Sequence, residues 1–173
     1  GSGPTSLVDG KYVSSAAVAS SNANIFVYDL ANVLTATGGS LTPSRTFTLP
    51  TADADQYIGA PGSADYDIDM KDEVFYVGTV GAPVPAGTSA ATLATLTRGS
   101  LYRVLVNEDA DPANWTGPTA VLSDLNQPFS SQPSVTVDSK LQRWVMAGSG
   151  RLLVNADKAT EDQQAIYGII DKT

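Results

Sequence analysis

No stretch of this chain runs far without a residue that interrupts regular structure. Gly, Pro, Asn and Asp recur every few residues, and the runs between them are rich in Val, Ile, Thr, Tyr and Phe. β-Branched and aromatic residues suit a pleated, half-buried surface, and breakers at this spacing leave no room for long helices. The pattern predicts short strands at "NIFVYDL" (24–30), "RTFTLP" (45–50), "DEVFYVGTV" (72–80), "SLYRVLV" (100–106), "PTAVLSD" (118–124), "PSVTVDS" (133–139), "QRWVMAGSG" (142–150) and "AIYGIID" (165–171). One segment, "TSAATLATLTR" (88–98), has the Ala and Leu content of a turn or two of helix, although an extended surface loop fits it equally. "VGAPVPAG" (80–87) reads as a Pro/Gly loop inside a domain rather than a linker between domains.

The strands fall into a repeat. "NIFVYDL" corresponds to "SLYRVLV", "RTFTLP" to "PTAVLS", Pro61 to Pro133, and Gly78 to Gly148, each 70 to 76 residues after its counterpart. The order is the same both times: an aromatic strand, a T-x-x-L strand, a Pro-led strand, and a strand ending in Gly. "AIYGIID" is a third copy of the first strand. Four strands per unit, repeated, is how a β-propeller blade is written. The expectation is an all-β chain of about two propeller-type blades plus flanking strands, with unit 1 at about 1–80, unit 2 at about 99–150 and a closing segment at 151–173. The alternative is a β-sandwich of eight or nine strands. Propellers close with about four to eight blades, so two units are expected to belong to a larger protein or to pair their sheet edges with other chains.

A length of 173 residues matches a single domain with a sizeable core. Ten basic and 18 acidic residues give a net charge of -8, which disfavours nucleic acid and anionic membranes as partners. Cysteine and histidine are both absent. Disulfides, thiolate metal sites, imidazole ligands and a Ser-His-Asp triad are thereby excluded. No apolar run approaches the roughly 20 residues of a membrane helix, and no signal peptide opens the chain, so a secreted protein would be in mature or trimmed form. Small uncharged polar residues dominate the remainder, as in many extracellular β-proteins.

Against this background the segment "ADYDIDMKDEVFYVG" (64–78) stands out. Hard cations such as Ca²⁺ take six to eight oxygens from a short loop that donates alternate side chains. Counted from Asp65, the carboxylates of Asp65, Asp67 and Asp69 occupy positions 1, 3 and 5, Lys71 at position 7 offers its carbonyl, and Glu73 falls at position 9. Calcium loops favour Gly at position 6, where this chain has Met70. The alternative is a hairpin strand with Tyr66 and Ile68 inward, the acids outward and a turn at Met70-Lys71. Three carboxylates on alternate positions repel one another, which calls for a cation or a basic neighbour. The counterpart segment "SVTVDSKLQRWVMAG" keeps the strands and lacks the acid series, so a hairpin alone does not require those carboxylates.

Several segments taken together resemble the C-terminal propeller of PilY-type proteins, the tip-associated adhesins of type IV pili. "GSGPTS" (1–6) is similar to a strand end of that family, and "NIFVYDL" to its "lyv-x-DL" strand. "ADYDIDMKDEVFYVGTV…GSLYRV" resembles its acidic loop, with "YVG" and a "G-(N/S)-L-(W/Y)-R" strand following, and "QPSVTVDSKLQRWVMAGSGRLLVNAD…QQAIYGIID" resembles its closing segment. The family's loop reads D-x-(D/N)-x-(D/N)-x-x-x-D, followed three residues later by the Tyr of "YVG"; the step from Glu73 to Tyr76 keeps that frame, with Glu in place of Asp. The resemblance implies a non-enzymatic, extracellular, pilus-associated adhesion or assembly module with calcium at Asp65, Asp67, Asp69, Lys71 and Glu73, working with other protein chains. It covers only the last portion of the family's longer propeller and none of its von Willebrand-like region. A structural subunit that pairs its sheet edges with partner chains is the competing expectation. A quinoprotein-like enzyme is more remote, because such enzymes need a closed disc and a cofactor site. The second acidic segment, "NEDADPANW" (107–115), lacks alternation and is expected to form a turn anchored by Trp115, while Trp144 and Tyr167 are expected in the core.

Overall fold

The computed structural model describes residues 6–8, 11–13, 23–38, 41–50, 56–81, 98–125, 127–152 and 163–172. The chain is mostly β, in antiparallel sheets. Strands β1 (Ser6–Val8) and β2 (Lys11–Val13) pair antiparallel, and so do β3 (Asn24–Val27) and β4 (Arg45–Thr48). The central sheet joins β5 (Gln56–Ile58), β6 (Gly62–Ala64), β7 (Val74–Gly81), β8 (Gly99–Leu105) and β9 (Thr116–Leu125), with both β5 and β6 pairing to β7. A third sheet joins β10 (Ser134–Val137), β11 (Arg143–Gly148) and β12 (Ile166–Asp171). Among the described residues no helix is long and apolar enough to cross a membrane.

All eight strands expected from the sequence are present, with ends shifted by up to three residues. One correction concerns "NIFVYDL". Its strand stops at Val27, and the chain turns into a six-residue helix, α1 (Leu30–Thr35). Asp29 is the cause: in extended conformation (φ -70°, ψ 123°) its carboxylate accepts the Ala31 N–H at 2.8 Å, satisfying a backbone donor that would otherwise be orphaned. The helix candidate at 88–98 and the loop at 80–87 lie almost wholly outside the described residues.

The sheets do not coincide with the sequence units. β7 closes unit 1 and β8 opens unit 2, yet they are hydrogen-bonded neighbours, with Tyr76 opposite Arg103 and Val77 opposite Tyr102. The central sheet thus runs from a Pro-led strand through a Gly-ending strand and an aromatic strand to a T-x-x-L strand. The third sheet repeats the first three of these in order, and the β3–β4 pair supplies the last two.

β7 is buried along nearly its whole length because both of its faces are covered. On one face Val74, Tyr76 and Leu101 pack with Phe129, Val145 and Ala147 against the third sheet; on the other, Val77 and Tyr102 pack with Ala23 and Leu49. The segment 127–133 lies directly on the central sheet. A Cβ on Gly78 would collide with the side chain and carbonyl of Phe129, and one on Gly62 with the carbonyl of Pro133. Only glycine permits backbone to approach this closely. The same segment bridges the sheets, since Phe129 N–H donates to the Thr79 carbonyl at 2.9 Å and Gly150 N–H to the Pro128 carbonyl at 2.7 Å.

Candidate metal centre and its support

Residues 65–73 connect β6 to β7 as a coiled loop, overturning the hairpin-strand alternative. The Asp65 carboxylate organises it. Oδ1 accepts the N–H of Ile68 at 2.6 Å and of Asp69 at 3.3 Å, while Oδ2 accepts the N–H of Met70 at 2.7 Å. Asp67 accepts the Asp69 N–H at 3.3 Å, and Asp69 accepts the Lys71 N–H at 2.9 Å. Short acidic side chains compete in this way with a regular ladder, so the backbone wraps around Asp65 instead of extending. The wrapping forces Ile68 (φ 65°) and Met70 (φ 75°) into the left-handed region, at roughly 1–2 kcal/mol each. Ile68 is 86% exposed and Met70 95%, so Ile68 does not face inward. The sharp turn that usually requires Gly is made here by Met70.

Each of Asp65, Asp67, Asp69 and Glu73 presents a carboxylate oxygen within 4.8 Å of the others. Oxygens bound to one Ca²⁺ at about 2.3–2.6 Å can be no more than roughly 4.6–5.2 Å apart, so the cluster has the dimensions of a single coordination shell. Glu73 closes the loop: its N–H donates to the Ala64 carbonyl at 3.1 Å, and its Oε2 accepts the Tyr66 N–H. Its Oε1 is shielded from solvent and has no hydrogen-bond partner among the described residues. A buried carboxylate oxygen without a donor is costly, and a cation would satisfy it.

Lys71 plays a part that its spacing did not reveal. Its Nζ lies 3.0 Å from Asp69 Oδ2 and 2.9 Å from Glu108 Oε2. The Glu108 and Asp69 carboxylates hold the Lys71 ammonium well above the usual lysine range, and the Lys71 hydrogen bond holds Asp69 below the usual carboxylate range. Glu108 belongs to the second acidic segment. That segment forms a turn in which Asp109 accepts from Asp111 N–H and Asn114 Nδ2, both at 2.8 Å, and Trp115 Nε1 donates to the Asp109 carbonyl at 2.7 Å.

Beneath the loop lies a network with little trace in the sequence. Tyr66 and Tyr76 hydroxyls are 2.5 Å apart, and Tyr76 donates to Asp171 Oδ2 at 2.5 Å. Arg103 forms an ion pair with Asp171 Oδ1; the two side chains are 13% and 4% exposed. The Arg143 guanidinium sits 4.1 Å above the Tyr66 ring. The loop is thereby tied to β7, β8, β11 and β12. Burial, followed by its bond to Asp171, pushes the Tyr76 hydroxyl far above the usual tyrosine range, and burial also raises Tyr66. The available signals were Arg103 interrupting "SLYRVLV" and Asp171 ending "YGIID": lone charges of opposite sign in otherwise apolar strands. Trp144 and Tyr167 are half-buried in strands, with Tyr167 packed edge-on against Phe129 at 5.7 Å.

This chain matches no protein-family model, no curated protein and no solved structure.

Proposed function

We propose that this chain is a segment of an extracellular β-propeller that works in adhesion or assembly at the cell surface, like the PilY-type pilus-tip proteins it resembles, and that its 65–73 loop binds Ca²⁺. The observation that carries the calcium reading is the cluster of Asp65, Asp67, Asp69 and Glu73 carboxylates, each with an oxygen within 4.8 Å of the others, together with a shielded Glu73 Oε1 that has no donor among the described residues. The propeller reading is supported by the sequential pairing of β6, β7, β8 and β9, the up-and-down order of a blade, and by the packing of further sheets on both faces. Bound calcium would offset the repulsion among the carboxylates, hold the loop on Tyr66, and stiffen the surface it shares with β7 and β12. On this reading the module binds and does not catalyse.

Thermal unfolding with calcium and with EDTA tests the site. Extracellular calcium modules bind at about 10⁻⁴–10⁻³ M. Ten millimolar calcium is then about 10–100 times Kd, which stabilises by roughly 1.4–2.7 kcal/mol and raises Tm by about 3–10 °C for a chain of this length. The shift should vanish in Asp65→Asn/Asp67→Asn. No shift in the parent chain at millimolar calcium sinks the site.

The competing reading, a structural subunit that pairs its edges, is favoured by one observation. Among the described residues β12 pairs only with β11, and it carries an exposed Ile166. Light scattering after size exclusion separates the two, since a stable monomer opposes obligatory edge pairing.

A further inference from the structure

A cleft of about 550 Å³ opens between the β3–α1 corner and the 107–115 turn, with Val27, Tyr28, Asp29, Asp111, Pro112 and Trp115 among its lining residues. Its size falls within the usual range for ligand sites, about 300–1,000 Å³. It is remote in role from the calcium loop, and nothing above assigns it a ligand.

The Trp115 wall is preformed. Its ring stacks on Phe47 (6.5 Å, 8° between planes) and meets Phe75 edge-on at 6.4 Å, while its Nε1–H is held by the Asp109 carbonyl. Tyr28, 42% exposed, offers a second aromatic surface. The charged side chains of the lining are both carboxylates, Asp29 and Asp111. Each uses one oxygen to cap a short helical turn: Asp29 Oδ1 accepts from Ala31 N–H at 2.8 Å and Asp111 Oδ1 from Ala113 N–H at 2.9 Å. Those caps also occupy the backbone donors that would otherwise attract an anion. The remaining oxygens are little used. Asp29 Oδ2 has only a long 3.4 Å bond from Asn32, and Asp111 Oδ2 accepts no hydrogen bond among the described residues. Arg45, beside the lining residue Ser44, donates to the Ala113 carbonyl at 2.7 Å and lies 5.0 Å over the Phe47 ring. The cleft therefore joins aromatic faces and apolar walls to acceptor-only, negatively charged groups.

We propose that this cleft binds a basic peptide segment of a partner protein. The aliphatic stem of a lysine or arginine lies along Trp115, Tyr28 and Pro112, and its charged head meets the carboxylates of Asp111 and Asp29. Long basic side chains cover apolar surface with their stems, and a cation over an aromatic face gains further attraction when carboxylates share the site. The net charge of -8 speeds the encounter with such a partner. A neutral sugar fits less well, because it needs donors as well as acceptors, and the lining side chains offer donors only in the hydroxyls of Ser44 and Tyr28.

The test is NMR titration of the ¹⁵N-labelled full chain with acetyl-Lys-Ala-Lys-amide and, separately, with acetyl-Gln-Ala-Gln-amide and N-acetylglucosamine. The readout is the Trp115 indole N–H, one of two tryptophan signals and assigned with Trp144→Phe. The lysine peptide should shift this signal saturably at low salt. Asp111→Asn, which keeps the capping oxygen and loses the charge, should weaken binding about five- to tenfold, an expectation from a half-shielded ion contact. Asp138→Asn, in the turn between β10 and β11, should leave it unchanged. An equal response to the glutamine peptide, equal weakening by Asp138→Asn, a response to the sugar alone, or no Trp115 shift at 10 mM lysine peptide would each overturn the proposal.

Discussion

Replacing Asp171 by Ala should be among the most damaging single changes in this chain. Asp171 closes β12, and its carboxylate is the partner of both Arg103 and the Tyr76 hydroxyl. With the Arg103 side chain 13% exposed and that of Asp171 4% exposed, water cannot readily replace what is lost. Removing one member of a buried ion pair costs about 3–5 kcal/mol. Chains of this size are stable by only about 5–15 kcal/mol, so the variant should lose a large share of its stability. Urea unfolding followed by circular dichroism would read the change as a lowered midpoint, and the corresponding Tm drop is about 6–20 °C at 2–4 °C per kcal/mol. The paired variant Asp171→Leu/Arg103→Met removes both charges and should recover most of the loss, because apolar replacement of a whole buried pair is often neutral. Amide exchange should locate the damage first in β11 and β12, where register sets Arg143 opposite Asp171 and Trp144 opposite Ile170. A loss below about 1 kcal/mol for Asp171→Ala would mean that the pair is hydrated in solution, and the claim that it secures the third sheet would fall.

Further expectations follow from the same contacts. Gly78→Ala places a methyl group against the Phe129 backbone and should cost about 1–3 kcal/mol or more by strain, read by urea unfolding; a neutral result would show that the 127–133 segment shifts easily. Because the Tyr76 pKa is raised in the folded chain, its contribution is intact below the unfolded tyrosine value of about 10 and is lost as pH rises above it. Urea midpoints should therefore fall more steeply above pH 10 in the parent than in Tyr76→Phe, and parallel curves would contradict the assignment. Lys71→Ala removes the ammonium that occupies Asp69 and Glu108. Calcium affinity measured by calorimetry should rise about two- to fivefold, the scale of an exposed ion pair; a fall would show that the ammonium supports the site.

The candidate loop was legible because its chemistry is local. Carboxylates at alternate positions from Asp65, with Glu73 at the ninth, are enough to predict a cluster, and the fold brings those four together. The role of Lys71 was not legible, since it depends on Glu108, which approaches only when β7 and β8 pair. Met70 argued against a tight loop, yet the turn forms at φ 75° because Asp65 captures the surrounding N–H groups. Helix α1 was foreshadowed by an Asp followed by "LANVLT", but the strand pattern of the preceding residues masked it.

By itself the sequence determined the class of structure and the chemistry of the loop. Breakers at short intervals and β-branched runs forbid long helices, and carboxylates at alternate positions offer a close oxygen cluster wherever the backbone coils instead of extending. Tertiary structure alone decided which strands share a sheet. The repeat suggested units ending after Gly78, whereas β7 pairs across that boundary with β8, because pairing is selected by burial of both faces of the central sheet and not by the bounds of the repeat. Tertiary structure also decided that Tyr66, Tyr76, Arg103 and Asp171 meet. Those four polar groups come from the 65–73 loop, the paired strands β7 and β8, and β12, and each is accommodated in the interior by hydrogen bonding or ion pairing to another.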